Sequence, residues 1–249
     1  MDYHERIVPG GGIWKENAAN HIQRYRYACQ YVPGMRVLDA ACGVGYGSQI
    51  LLRAGAREVI GVDVAEDALE IACRQFSSPG LRFVRDDCEA LQSVSGPFDV
   101  IVAFECIEHF HQVSRFLTRA QALLRDAGAL VCSTPNRLFS HPNGNGKPSN
   151  PFHVKEYTLE EFRELLEGYF LDVAIAGQRF TAAYRHTQRL AAMGANPFLR
   201  AGRLAQRLLR GKQPPPDPIV LTEGDFVISE ANPEDAFFFV AVCRHPRRN

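Results

Sequence analysis

Short apolar runs alternate with amphipathic stretches along this chain, and the two periods predict its elements. Strands are expected at Val37–Leu38 running into Asp39, Glu58–Val62, Leu81–Val84, Phe98–Ala103, Gly128–Ser133, Tyr169–Ala176 and Ala236–Cys243. Between them, helical spacing predicts helices over Ser48–Arg53, Ala65–Phe76, Val113–Leu124 and Leu159–Leu166. In the third of these, Val113, Phe116, Leu117, Ala120, Leu123 and Leu124 form one apolar face. Thr158 and Glu161 have the T-x-x-E spacing of a helix start. A further helix, Trp14–Tyr31, precedes the first strand and ends near Pro33-Gly34. Strand–helix alternation of this kind predicts a parallel sheet with helices on both faces.

One turn breaks the pattern in an informative way. The first strand enters Asp39, and Gly43, Gly45 and Gly47 punctuate the passage into the next helix. Glycines there permit a tight turn and a close approach of backbone to a ligand. The second strand ends on Asp63, where a carboxylate can accept both hydroxyls of a ribose. Asp39, before the turn, is suited to a ligand ammonium or to the loop's amides. The later glycine of the dinucleotide fingerprint is missing, so a nucleoside with a charged tail fits better than a diphosphate.

DAACGVGYGS, GVD, RDDCEAL, FDVIVAFECIEHF and GALVCSTPN follow one another between Met35 and about Phe170. In order and spacing they resemble the motifs of class I S-adenosylmethionine-dependent methyltransferases. The resemblance implies an α/β fold: a seven-stranded Rossmann-like sheet whose last strand, Ala236–Cys243, runs antiparallel as the closing edge. It implies S-adenosyl-L-methionine as cofactor, held by Asp39, Ala41, Gly43, Gly45, Tyr46, Asp63, Val64, Asp87, Cys88 and Phe104. In that pattern Asp87 accepts from the adenine amine and Cys88 contributes a backbone amide. The helix before the sheet becomes a lid, with Arg24 and Tyr25 as its polar residues. The chain divides accordingly into an arm and lid (1–34), a core (35–177), a helical insertion serving specificity or a homodimer contact (178–229), and a final strand and tail (230–249).

Composition narrows the partners. A chain of 249 residues, 46% hydrophobic, can fill one large core. With 28 basic and 28 acidic residues it lacks the broad positive field of a nucleic-acid binder. No apolar stretch approaches a membrane span, and MDYHERIVPG is no signal peptide. Seven cysteines without a C-x-x-C pair point to reduced thiols and a cytoplasmic setting.

The sharpest chemistry lies after the fourth strand, at Glu105-x-x-Glu108-His109. Two carboxylates and an imidazole suit Mg²⁺ or Mn²⁺, with Fe²⁺ behind them. The same spacing also occurs as a helix cap with solvent-facing charges. A similar set resembles a divalent-metal site in small-RNA 2′-O-methyltransferases and ubiquinone-pathway O-methyltransferases. The RNA group adds a histidine after the fifth strand, and His153 stands in a comparable place, with His141 as the alternative. The expected metal set is therefore Glu105, Glu108, His109 and His153, and the expected catalytic set Glu108, His109 and His153. A sugar hydroxyl must lose its proton to attack a sulfonium methyl, and a metal or a basic imidazole, His109 or His153, supplies that need. The long loop after Ser133-Thr134-Pro135-Asn136 is expected to wall the acceptor pocket, with Asn136 and Arg137 on substrate or Asn136 capping the loop. TPN followed by NPFHVKEYTLEEF resembles bacterial methyltransferases that accompany glycosyltransferases. The expected function is O-methylation of a small, saccharide-like acceptor. The rivals are an RNA ribose 2′-O-methyltransferase, a small-molecule N-methyltransferase and a cofactor-binding scaffold without turnover.

Overall fold

The computed structural model describes residues 12–140, 148, 150–183, 185 and 222–248. The elements, in chain order, are α1 (Gly12–Ala28), β1 (Arg36–Ala40), α2 (Tyr46–Arg53), β2 (Glu58–Asp63), α3 (Glu66–Phe76), β3 (Leu81–Arg85) and β4 (Phe98–Phe104). Then follow α4 (Val113–Leu123), β5 (Leu124–Pro135), α5 (Arg137–Ser140), α6 (Leu159–Glu167), β6 (Phe170–Phe180), β7 (Phe226–Ser229) and β8 (Phe238–Pro246). They build an α/β Rossmann-like sheet in the order β3-β2-β1-β4-β5-β8-β6-β7.

The apolar runs explain the order. β1 and β4 pair in parallel at the centre, with Val37, Leu38 and Ala40 opposite Val100, Ile101 and Ala103, all buried. Strands covered on both faces read as continuous apolar runs, and these do. One face carries Tyr25 of α1, Leu51 of α2 and Ala68 of α3. The other carries Phe116, Leu117 and Ala120 of α4 and Phe162 and Leu166 of α6. Thr158 caps α6 through the Glu161 amide, and Glu161 returns a bond to the Thr158 amide at 2.8 Å, completing the box its spacing foretold.

Among the described residues the sheet has eight strands rather than seven, and the last of them, β8, is not an edge. β8 lies antiparallel between β5 and β6. Phe239 to Cys243 are all buried, and only an interior strand can bury both of its faces. The short β7 takes the edge beside β6. The region expected as a helical insertion thus begins and ends as strand. Residues 184 and 186–221 of it lie outside the described residues, as do the arm before residue 12 and His141.

Candidate active site

Parallel pairing brings the carboxyl ends of β1, β2, β4 and β5 to one edge, where ligands bind in such sheets. The glycine turn leaves β1 there. Ala41 has a φ of 60° and Gly43 one of 53°, both left-handed, and Gly45 caps α2 at 85°. A Cβ on Gly45 would lie 2.7 Å from Ala72 and from the Phe83 ring, so packing forbids one. A Cβ on Gly43 would meet no described residue within 4 Å. Gly43 therefore borders open space while its neighbours border core.

Asp63 lies beside that space. Its Oδ2 accepts the Gly43 amide at 2.8 Å and its Oδ1 the Ala65 amide at 2.9 Å, which fixes the carboxylate while leaving lone pairs for a diol. Val64 is 51% exposed, unusual for so apolar a side chain, and Asp87 is exposed as well. Asp86 is spent on the turn, accepting the Asp87 and Ser93 amides. Cys88 is buried and receives the Ala41 amide on its sulfur at 3.2 Å; burial raises its thiol pKa and keeps it inert. A fixed carboxylate, an apolar ledge and a second acid around open backbone fit a nucleoside.

Asp39 is used differently from the expectation. It is fully buried, and its oxygens accept the Tyr25 hydroxyl at 3.0 Å and the Ser48 hydroxyl at 2.6 Å. Burial pushes its carboxyl from 3.8 up to about 7. Helix α1 is thereby tied to the glycine turn. Tyr25 also meets Phe104 edge-on at 5.1 Å, and the Tyr46 hydroxyl lies 2.5 Å from His21 Nδ1. Gly47 permits this docking, since a Cβ there would fall 2.0 Å from the Tyr25 ring. Arg24, 1% exposed, bonds Gln178 at 2.5 Å, lies over the Phe238 ring, and reaches within 3.7 Å of Glu105. Gln178 in turn donates to the Asn20 carbonyl and to Gln23, which sews α1 to β6.

At the end of β4 the chain turns sharply. Glu105 is left-handed, with a φ of 52°, and Ile107–His109 forms a single 3-10 turn. This conformation is uncommon for a residue with a Cβ and concentrates at functional turns. It returns the Glu105 carboxylate to the Ser133 hydroxyl at 2.7 Å and swings Glu108 inward. Glu108 is 1% exposed; Oε2 accepts the Thr134 hydroxyl at 3.0 Å, while Oε1 is buried without a hydrogen-bond partner among the described residues. Burial first, and the Glu105 charge second, raise its carboxyl well above the usual range.

One ligand atom each from Glu108, His109 and His153 lie within 4.8 Å of one another. Glu105 stands apart from this group, committed to Ser133 and Arg24. The orphaned carboxylate oxygen and two imidazoles fit a divalent cation, and two nitrogens to one carboxylate suit Mn²⁺ or Fe²⁺ ahead of Mg²⁺. The sequence missed four supporting residues: Ser133 and Thr134, whose hydroxyls hold the two glutamates, and Asn150 and Glu156, which flank His153. Polar residues ending the apolar β5 run were the available signal. Asn136 caps its loop, bonding the Glu234 and Ala236 carbonyls and the Leu138 amide, and Arg137 pairs with Glu161.

Comparison with known proteins shows the family and the fold. A probable S-adenosylmethionine-dependent methyltransferase of Mycobacterium tuberculosis is 34% identical over 174 residues, 70% of this chain and 62% of that protein. The chain thus spans about three fifths of that relative's length. A ubiquinone biosynthesis O-methyltransferase of Methylocella silvestris is 36% identical over 120 residues, 47% of this chain and 46% of that protein. The crystal structure of an S-adenosylmethionine-dependent methyltransferase from Mesorhizobium loti shares the fold, with a TM-score of 0.58 at 19% identity, covering 93% of this chain and 99% of that one. The model of the family described as "Methyltransferase domain" matches residues 17–174, well over half of the sequence, and the chain belongs to that family.

Proposed function

We propose that this protein transfers the methyl group of S-adenosyl-L-methionine to a hydroxyl of a small, saccharide-like acceptor. The adenosine lies along Gly43, Asp63, Val64 and Asp87, and the Cys88 amide, Ala41, Gly45, Tyr46 and Phe104 line the same groove. The acceptor hydroxyl is met by Glu108, His109 and His153. A sulfonium methyl is already electrophilic, so the chain's tasks are to align the attacking oxygen and remove its proton. Burial of Glu108 keeps bulk water from that carboxylate.

The observation that carries the reading is the unpartnered Glu108 Oε1 beside two imidazoles at the sheet edge that holds Asp63. An amine acceptor would need no such set. When bound there, a divalent cation lowers the pKa of an attached hydroxyl and orients it. A second reading dispenses with the cation and makes His153 the general base; the Glu156 carboxylate 2.5 Å from its Nδ1 favours it. The relative that methylates oxygen in ubiquinone biosynthesis supports hydroxyl chemistry, and nucleotide sugars and glycosides are the acceptors to try first.

The test is transfer of labelled methyl to a panel of glycosides, nucleotide sugars and amines, with added Mn²⁺ or with chelator. Hydroxyl acceptors should be methylated, and Glu108→Gln should lose transfer by a factor of about 100 or more while retaining donor affinity. Methylation confined to amines and indifferent to Glu108→Gln would overturn the proposal. Full activity in chelator would select the metal-free form.

A further inference from the structure

The segment from Asn150 to Glu156 does more than deliver His153. Its hydrogen bonds determine where the protons of two imidazoles sit. The Phe152 amide donates to Asn150 Oδ1 at 3.0 Å, which fixes the orientation of the Asn150 side-chain amide. Asn150 Nδ2 then faces His153 Nε2 at 3.0 Å. An amide nitrogen offers only hydrogens, so Nε2 must accept and carries a lone pair. On the other side of the ring, His153 Nδ1 lies 2.5 Å from Glu156 Oε1, and a carboxylate accepts. The ring proton is therefore on Nδ1. Glu156 is itself anchored: its side chain is 1% exposed, and its second oxygen takes the Ser140 hydroxyl. The same segment sets the other histidine. The Phe152 carbonyl lies 3.1 Å from His109 Nδ1, and a carbonyl can only accept, so His109 also holds its proton there. The two rings meet edge-on, with centroids 4.7 Å apart.

We propose that Asn150, the Phe152 carbonyl and Glu156 form a clamp that locks His109 and His153 as Nδ1–H tautomers, with Glu156 the positioning residue for His153. The proposal rests on the reading of those histidines as acceptor-side groups. It adds which nitrogen of each works: Nε2, as a cation ligand or as the atom that takes the acceptor's proton. Asn150 occupies His153 Nε2 with a neutral donor and yields it to the incoming ligand. A carboxylate behind an imidazole fixes its ring and raises its strength as a ligand, and removing such a partner typically weakens metal binding ~10–100-fold.

Long-range ¹H–¹⁵N spectra of the full chain labelled at histidine test this without any turnover. His109→Ala and His153→Ala assign the two rings. In the parent both should show an unprotonated Nε2. In Glu156→Leu the Asn150 amide still donates to Nε2, so His153 should keep its tautomer while the Mn²⁺ Kd rises ~10–100-fold with S-adenosylhomocysteine affinity unchanged. In Asn150→Ala/Glu156→Leu, with neither partner left, His153 should pass to the Nε2–H tautomer while His109 keeps its own. Asn150→Ala should leave both tautomers in place. Protonated Nε2 on His153 in the parent would overturn the clamp, and so would an unchanged His153 tautomer in Asn150→Ala/Glu156→Leu. If the double variant does not fold, the parent spectrum and the Mn²⁺ Kd of Glu156→Leu decide. Tautomers as described in a protein that methylates only amines would keep the clamp and remove the hydroxyl reading.

Discussion

Asp39→Asn isolates the cost of a buried carboxylate beneath the glycine turn. Asp39 is fully buried, and its carboxyl is raised from 3.8 to about 7 despite two hydroxyl donors. The folded chain thus binds a proton there that the unfolded chain releases. Stability from this group is whole below about pH 4, declines as pH rises toward 7, and is level above that. The change from 3.8 to about 7 corresponds to up to about 4 kcal/mol. Asparagine has nearly the same shape, and its oxygen still accepts the Tyr25 hydroxyl. Ser48 can rotate its hydroxyl to accept from the new amide. Other groups slope too: His21, lowered by burial and by Arg24, weakens the fold as pH falls. The difference between parent and variant cancels them. Urea unfolding from pH 4 to 8 should show Asp39→Asn gaining on the parent through that window, by up to about 4 kcal/mol, with unchanged m-values. A constant difference across pH would refute the argument.

Two further substitutions test the frame around the groove. In Gly47→Ala the new Cβ would fall 2.0–2.4 Å from three Tyr25 ring atoms, so α1 must shift. Overpacking of this sort costs about 1–3 kcal/mol, and hydrogen exchange over residues 18–28 should quicken; unaltered melting and exchange would contradict it. Asp63→Ala removes the acceptor of the Gly43 and Ala65 amides and the seat of the ribose, and should weaken S-adenosylhomocysteine binding ~10–100-fold by calorimetry. Equal affinity would put the ribose elsewhere.

Most strands and helices were legible because each apolar run serves a single burial state. Phe98–Phe104 is buried nearly throughout, and its sequence reads so. The place of the last strand was not legible locally. Whether an apolar strand closes a sheet or lies within it depends on what pairs beyond it, here β7, four residues long. The glycine turn and the acids around it were visible because backbone conformation and charge are written in residue types. Asp39 shows the limit: the residue was evident, but its bonds to Tyr25 and Ser48 come from how α1 docks. Glu105, Glu108 and His109 could be named from their spacing, and His153 from the resemblance. Their division could not, since the left-handed turn at Glu105 takes that carboxylate to Ser133 and leaves Glu108 with the histidines.

The most direct test is a crystal structure of the chain with S-adenosylmethionine. The ribose should lie on Asp63, the adenine against Val64 and Asp87, and the sulfonium methyl should point to Glu108, His109 and His153. Adenosine bound away from Gly43, or a methyl facing away from those three side chains, would contradict the account.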